Sequence, residues 1–341
     1  MLDYIHTVRQ SCLEAFRGSR ILITGGMGFL GSNLAHCLVR GAAARVIVLD
    51  SLAEGSGANP KNLDGLEQDI ELHIGHIGDR ELVERLVPDV DFVFNLAGSI
   101  SHLDSMQDPL ADYQANCGEH LVLLEACRKR NPRAMLVLSS TRQVYGRPLF
   151  LPVTESHPSA PVDINGIHML ACEAYHTIWR RICGLRVAIL RLTNCYGPRQ
   201  LIRHTRQGFT GWFLRQALTA GRIELFGGGC QRRDFNYVDD VLEALLLAAQ
   251  ATEADGKIYN LGSAEVVSLK EFACILAALA PEVCIGEREF PADRLAIDIG
   301  SYWADFSAIR NELGWSPRVN LREGLERTLE FYRRHKDWYL P

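Results

Sequence analysis

The sequence predicts an α/β fold built on a doubly wound parallel sheet, with a smaller C-terminal lobe. Two observations carry that expectation. Short β-branched runs alternate with longer segments of helical spacing through the first 193 of the 341 residues. Each run is apolar almost without interruption, as a strand covered on both faces must be. Strand–helix–strand repetition then calls for right-handed crossovers, with helices on both sides of the sheet.

The elements follow in order. Residues 1–19 read as an N-terminal helical extension, with Leu2, Ile5, Leu13 and Phe16 at its packing positions. Six strands are expected at RILIT (20–24), RVIVLD (45–50), ELHIG (71–75), DFVFNLAG (91–98), AMLVLSS (134–140) and RVAILRLT (186–193). Residues 31–40, 109–130 and 164–183 have helical spacing between them. After residue 194 the rhythm changes to turn-rich stretches, YGPRQ and FGGGCQRRDF. Helices are expected at 238–251, 268–280, 305–313 and 321–334, and a strand at 258–262. Residues 20–193 thus form the main domain. Residues 194–341 form mainly the second lobe, with some segments returning to the first.

Composition excludes several function classes. Lys and Arg number 36 against 41 Asp and Glu, a formal charge of −5, whereas a nucleic-acid binder usually carries a basic face. No apolar run approaches the roughly 20 residues that cross a bilayer, so no membrane partner is expected. The N-terminal stretch lacks the continuous apolar core of a signal peptide. The ten Cys are scattered without a CxxC pair, so no metal site is expected and a disulfide framework is not indicated. These features point to a soluble cytoplasmic protein.

The turn after the first strand reads TGGMGFLG (24–31), placing Gly25, Gly28 and Gly31 at GxxGxxG spacing before a helix. Glycine is required where the backbone turns tightly and must approach a pyrophosphate at a helix N-terminus. Asp50 closes the second strand, 19 residues beyond Gly31. Its carboxylate suits a ribose diol and repels a 2′-phosphate, so NAD is preferred to NADP.

Together with NLAGSISH (95–102), SSTRQVYG (139–146), RLTNCYGPRQ (191–200) and RRDFNYVDD (232–240), that turn makes the sequence resemble the extended short-chain dehydrogenase/reductases, specifically their NAD-dependent nucleotide-sugar epimerase/dehydratase branch. The resemblance runs from about residue 20 to 334. It implies a Rossmann-type main domain and a substrate-binding C-terminal lobe. It adds Phe29, Leu30, Ser51, His76, Ile77, Leu96, Ala97, Gly98, Asn116, Ser139 and Met169 to the cofactor residues. His76 is a departure, because the family usually has Asp in that Gly-Asp-Ile segment.

Family enzymes oxidise their substrate transiently. A Tyr in a Tyr-x-x-x-Lys helix removes the hydroxyl proton, the Lys lowers the Tyr pKa, and a Ser/Thr on strand five bonds the reacting oxygen. Thr141 matches the Ser/Thr position. In PVDINGIHMLACE (161–173), Asn165 stands at the Tyr position and Met169 at the Lys position. Asn is no general base near neutrality and Met carries no charge. Losing a positioned acid–base group typically forfeits about 10²–10⁴-fold in rate. His168, three residues beyond Asn165, and His102, after strand four, are candidate replacements, since imidazole titrates near neutrality. Arg142 and Gln143 occupy the positions that resemble the Asp-Glu pair of 4,6-dehydratases, and neither side chain does that pair's work.

On the substrate side the resemblance assigns Asn194, Arg206, Gln207, Arg233 and Arg294, with Thr141 and Arg142, to a nucleotide sugar. A guanidinium fork matches a diphosphate in geometry and charge. Arg199, Arg203 and Arg206 add positive charge beside the expected cleft, and RQGFTGWF (206–213) reads either as a substrate cover or as helix core. The implied function is an NAD-dependent nucleotide-sugar epimerase with an atypical acid/base set. Two alternatives stay open: a degenerate protein that binds NAD and nucleotide sugar without turnover, and a dehydratase or oxidoreductase of unusual mechanism. The resemblance also implies a homodimer through residues 109–130 and 164–183.

Overall fold

The structure, a computed structural model, describes residues 4 and 6–340 except 54, 204–207, 293, 294 and 296. Six parallel strands form where the apolar runs lie: β1 (Arg20–Thr24), β2 (Arg45–Asp50), β3 (Ile70–Ile74), β4 (Phe92–Asn95), β5 (Met135–Thr141) and β6 (Arg186–Leu192). Strands β7 (Asn194–Tyr196), β8 (Arg222–Phe226) and β9 (Arg232–Tyr237) follow, and β10 (Ile258–Asn260) returns to the main sheet beside β6. The seven strands run in the order β10-β6-β5-β4-β1-β2-β3. Strand order reverses between β1 and β4, and such a switch point opens a crevice at the carboxyl ends.

Period-two alternation sends successive side chains to opposite faces. Ile21, Ile23, Val46, Val48, Val137 and Leu190 enter one buried core, while Leu22, Ile47, Leu49, Leu136 and Ile189 enter the other. The first core is covered by α2 (Phe29–Ala42) and the helix Val238–Gln250. The second is covered by α3 (Arg80–Leu86), the helix Glu119–Arg130 and the helix Ile164–Cys183. The smaller lobe adds the three-stranded sheet β11-β9-β7, with β11 at Val266–Ser268, and the pair β12-β8, with β12 at Cys284–Arg288. RQGFTGWF falls partly outside the described residues. Its described end begins the helix α8 (Phe209–Leu218), whose Phe209 and Phe213 pack on Phe235 and Phe272, so that part is core.

One expectation is corrected. Among its described residues the N-terminal extension is helical only at α1 (Gln10–Glu14). Before it, Asp239 accepts hydrogen bonds from Thr7 N, Thr7 Oγ1 and the Tyr4 hydroxyl, each at 2.9 Å, and pairs with His6 Nδ1 at 2.7 Å. Glu243 holds Arg9 Nε at 2.8 Å. These buried carboxylates draw the segment out extended. Leu13 and Phe16 are buried as expected; Leu2 and Ile5 lie outside the described residues.

The stretch 109–130 is helical throughout, as expected, with one π-turn inside it. Its first turns are α5 (Pro109–Tyr113), after α4 (His102–Gln107), and a π-turn at Gln114–Gly118 separates α5 from α6 (Glu119–Arg130). The wider turn brings Asn116 inward, where its amide accepts from Ser99 N (2.9 Å) and donates to Ser99 O (3.1 Å). The helix Ile164–Cys183, α7, is capped by Asp163 and ends at a left-handed Gly184. Among the described residues no helix is long and apolar enough to cross a membrane.

Candidate active site

A cavity of about 500 Å³ opens at the switch point. Its wall brings together Gly25, Gly28, Asp50, Ser51, His76, Ile77, Leu96, Ala97 and Gly98. Gly25 has φ +66°, and a Cβ there would sit 2.7 Å from the Leu96 carbonyl oxygen. A Cβ on Gly31 would drive into the Gly25 carbonyl. A Cβ on Gly28 would meet only Gly25 O at 3.2 Å, so the turn presents bare backbone to the cavity. Asp50 accepts hydrogen bonds from Met27 N (2.8 Å) and Leu52 N (2.9 Å) through different oxygens. Each oxygen keeps a further lone pair for a ribose hydroxyl. The turn, the helix start behind it and the carboxylate fit a dinucleotide without a 2′-phosphate.

The remaining cofactor candidates lie off that wall, His76 excepted. Gly31 packs into the turn, Asn116 clasps Ser99, and Ser139 Oγ donates to Asn95 O at 3.5 Å. Phe29 and Leu30 open α2 and pack against the first core. His76 is exposed and faces Glu119, Nδ1 to Oε1 3.3 Å. Met169 is buried beside Val144, Tyr145 and Tyr302, an apolar surrounding rather than the cavity wall.

At the carboxyl end of β5 the candidate catalytic groups form a connected chain. Thr141 Oγ1 donates to Gln143 Oε1 at 2.9 Å, and the Gln143 amide nitrogen abuts the His102 ring. His102 Nδ1 lies 2.6 Å from Asp163 Oδ2, and Asp163 Oδ1 caps α7 through Gly166 N at 2.7 Å. Burial pushes the Asp163 carboxyl up. The bond and charge of His102, the Gly166 N–H and Arg142 outweigh it and hold the group below its usual range. Asp163, two residues before Asn165 at a helix start, carries an N-cap signal in the sequence but no catalytic motif.

Asn165 and His168 are placed differently. Asn165 Nδ2 donates to Ser99 O (2.8 Å) and Asp112 Oδ2 (3.0 Å). His168 Nδ1 lies 2.7 Å from the other oxygen of Asp112, with its ring edge-on to Tyr113. Asp112 therefore clasps two α7 side chains onto α5.

The lobe side presents two guanidiniums. Arg233 is buried. Its Nη1 donates to Arg232 O (2.9 Å) and to Gly300 O, while Nε has no partner among the described residues. Burial pushes Arg233 down to about 9, and neighbouring Arg142 adds to that shift. Arg142 lies over the Tyr302 ring at 5.2 Å, and burial lowers its pKa too. Asn194 Nδ2 donates to Thr193 Oγ1 (3.1 Å) and Asp234 O (2.8 Å). Arg206, Gln207 and Arg294 lie outside the described residues. Arg199 does not supply cleft charge: it is buried, and its Nη1 donates to Asn33 Oδ1 at 2.7 Å. Arg203 reaches the Trp338 carbonyl at 3.2 Å.

Residues 21–262 match the family model of the NAD dependent epimerase/dehydratase family. The sequence is 33% identical over 320 residues to the UDP-glucose 4-epimerase of Mycolicibacterium smegmatis, covering 92% of this chain and 98% of that protein. The fold is similar to the UDP-glucose 4-epimerase of Thermotoga maritima solved with UDP-glucose, at TM-score 0.85 and 29% identity over 93% of this chain and 99% of that one. It is also similar to the UDP-glucose 4-epimerase of Thermus thermophilus solved with NAD, at TM-score 0.81 and 29% identity over 92% and 99%. The bare glycine turn, the Asp50 carboxylate and these matches agree: the chain is an enzyme of the NAD dependent epimerase/dehydratase family, and its cofactor is NAD.

Proposed function

We propose that the protein epimerises a nucleoside-diphosphate sugar by transient oxidation, with His102 in place of the absent tyrosine base. The observation that carries this reading is the His102–Asp163 pair beside Thr141 at the end of β5. NAD supplies the hydride acceptor, and later donor, when bound. Thr141 and Gln143 orient the reacting hydroxyl. With Nδ1–H committed to Asp163, His102 takes the hydroxyl proton on Nε2 as the carbon loses hydride, which leaves a keto sugar. Once the keto sugar has turned over, hydride return to its other face, with His102 handing the proton back to the oxygen, would invert the carbon. Asp163 stabilises the imidazolium formed in between.

Arg142 and Arg233 support a diphosphate substrate. Two neighbouring guanidiniums with burial-depressed pKa values make no ion pair among the described residues, so a dianion between them relieves their repulsion. His168 is left out of the catalytic set, because its Nδ1 and its partner Asp112 serve the α5–α7 clasp. Asn165 joins that clasp through Asp112, and Met169 packs beside Val144, Tyr145 and Tyr302. Exposed apolar side chains on α5 and α7, among them Leu110, Ile167 and Ile182, support a homodimer through these helices.

The test mixes NAD-loaded protein with UDP-, GDP-, CDP- and dTDP-hexoses in deuterated water and follows products by NMR. The expected result is an epimeric sugar without solvent deuterium at the inverted carbon. Binding without turnover across the panel overturns the proposal, and deuterium at that carbon replaces hydride transfer with deprotonation.

A further inference from the structure

Beneath the cofactor strand a second group of side chains converges that the proposed reaction leaves unused. His120 on α6, and Cys172 and His176 on α7, are fully buried and offer ligand atoms within 4.8 Å of one another. Cys172 and His176 stand four residues apart on one helix and so share a face. Asn95, the last residue of β4, completes the group from the sheet.

The hydrogen bonds decide which atoms are free. His176 Nδ1 lies 2.8 Å from the Cys172 carbonyl oxygen, so in the neutral ring Nδ1 carries the proton and Nε2 the lone pair. A ring N–H held by a backbone carbonyl is the usual outer contact of a metal-ligating histidine. His176 Nε2 and His120 Nδ1 both face the Asn95 amide nitrogen, at 3.4 and 2.9 Å. His120 Nε2 is buried without a partner among the described residues. Cys172 Sγ stands 3.7 Å from the His176 ring at Nδ1. The Asn95 amide therefore fills the point on which two imidazoles converge, with the Cys172 thiol against the other nitrogen of the His176 ring.

Turning that amide over puts Oδ1 at this point, and Nδ2 then donates to Thr24 Oγ1, which now donates to Oδ1 at 2.9 Å. Two imidazole nitrogens, a thiolate and an amide oxygen form a donor set for a four-coordinate, borderline-soft divalent ion. Bonds of about 2.0–2.3 Å in a tetrahedron leave ligand atoms about 3.3–3.8 Å apart. The His120, Cys172 and His176 ligand atoms, within 4.8 Å of one another, must therefore draw closer around an ion. We propose that Asn95, His120, Cys172 and His176 form a buried site for a zinc-class divalent cation, tying α6 and α7 to the end of β4. On binding, the Cys172 thiol releases its proton to solvent and the thiolate takes a metal–sulfur bond.

The test uses full-length, NAD-loaded protein in which the exposed Cys230, Cys274 and Cys284 are replaced by Ser, so that surface thiols do not contribute. After chelation and dialysis against Co(II), the expected result is one cobalt per chain, with the visible bands of tetrahedral Co(II) and a thiolate charge-transfer band. Cys172→Ser removes the charge-transfer band, and Zn(II) raises the Tm of the parent but not of that variant. Asn95→Asp provides a second, independent variant: an anionic oxygen at the fourth position is expected to tighten Co(II) binding at least tenfold. The proposal is overturned if the parent takes up no more cobalt than Cys172→Ser, or binds it without thiolate bands. Unchanged affinity in Asn95→Asp also overturns the four-ligand site.

Discussion

His102 Nδ1 lies 2.6 Å from one oxygen of Asp163, whose other oxygen caps α7. One carboxylate thus fixes both the imidazole and the start of the helix that carries Asn165 and Met169. If this pair replaces the tyrosine, His102→Asn lowers kcat by about 10²–10⁴ with little change in KM. Asp163→Asn keeps the helix cap, since Asn caps as well as Asp, yet loses the charge that stabilises an imidazolium. Its kcat should fall by about 10–10² and its pH–rate profile should shift. His168→Asn should stay within about threefold of the parent. A His168 variant as inactive as the His102 variant sinks the assignment.

Arg142 and Arg233 are the second functional pair. Charge-assisted hydrogen bonds contribute about 1.5–3 kcal/mol each, or roughly 10–100-fold in affinity. Arg233→Ala should weaken nucleoside-diphosphate binding in titration calorimetry by that factor and leave NAD binding unchanged. Arg142→Ala should behave the same way. Equal weakening toward a nucleoside and its diphosphate would show that the guanidiniums do not read phosphate.

A buried ion pair lies one layer below. Arg191 binds Glu173 through Nε–Oε1 (2.9 Å) and Nη2–Oε2 (2.6 Å), and its Nη1 donates to the Tyr145 hydroxyl at 2.7 Å. Ser140 Oγ adds a 2.5 Å bond to Glu173. Removing one partner leaves the other charge buried, a loss of about 3–5 kcal/mol. Arg191→Met should show that loss in urea unfolding, and Arg191→Met with Glu173→Leu should recover much of it. A double variant as unstable as the sum of the two singles would contradict this account.

The sheet was legible because its strands are continuously apolar, and the glycine turn because its spacing serves one geometry. Asn165 and Met169 were legible as departures, but their surroundings were not. Nothing local reveals that Asp112, from the other side of the π-turn, takes both Asn165 and His168, because the pairing spans more than 50 residues. The N-terminal segment failed for a similar reason: its apolar spacing suits a helix, and two carboxylates from α9 (Val238–Gln250), Asp239 and Glu243, override it. Cys172 and His176 show helical spacing in the sequence, yet His120 joins them only through helix packing.

Leu110 on α5 is 80% exposed and Ile182 on α7 is 71% exposed. Such side chains on adjoining helices fit a face covered by a second copy. Leu110→Asp with Ile182→Asp should halve the mass seen by light scattering after gel filtration. An unchanged mass places the subunit contact elsewhere.

Asp234 carries the last prediction. Its carboxyl is fully buried and accepts the Thr193 hydroxyl at 2.7 Å and Ala304 N–H at 3.0 Å. Burial outweighs these bonds and the charge of Arg142, raising its pKa to about 6. Between an unfolded value near 4 and that folded value, the native state keeps a proton that the unfolded chain has released. Stability therefore falls as pH rises through this window and levels off above it. At about 1.4 kcal/mol per unit, the total is on the order of 2–3 kcal/mol. Asp234→Asn removes the titration and keeps an acceptor for Ala304. Measured by urea unfolding, its stability relative to the parent should rise between pH 4.5 and 6.5 and then stay level. A difference that does not change with pH would mean that Asp234 is ionised across the whole range.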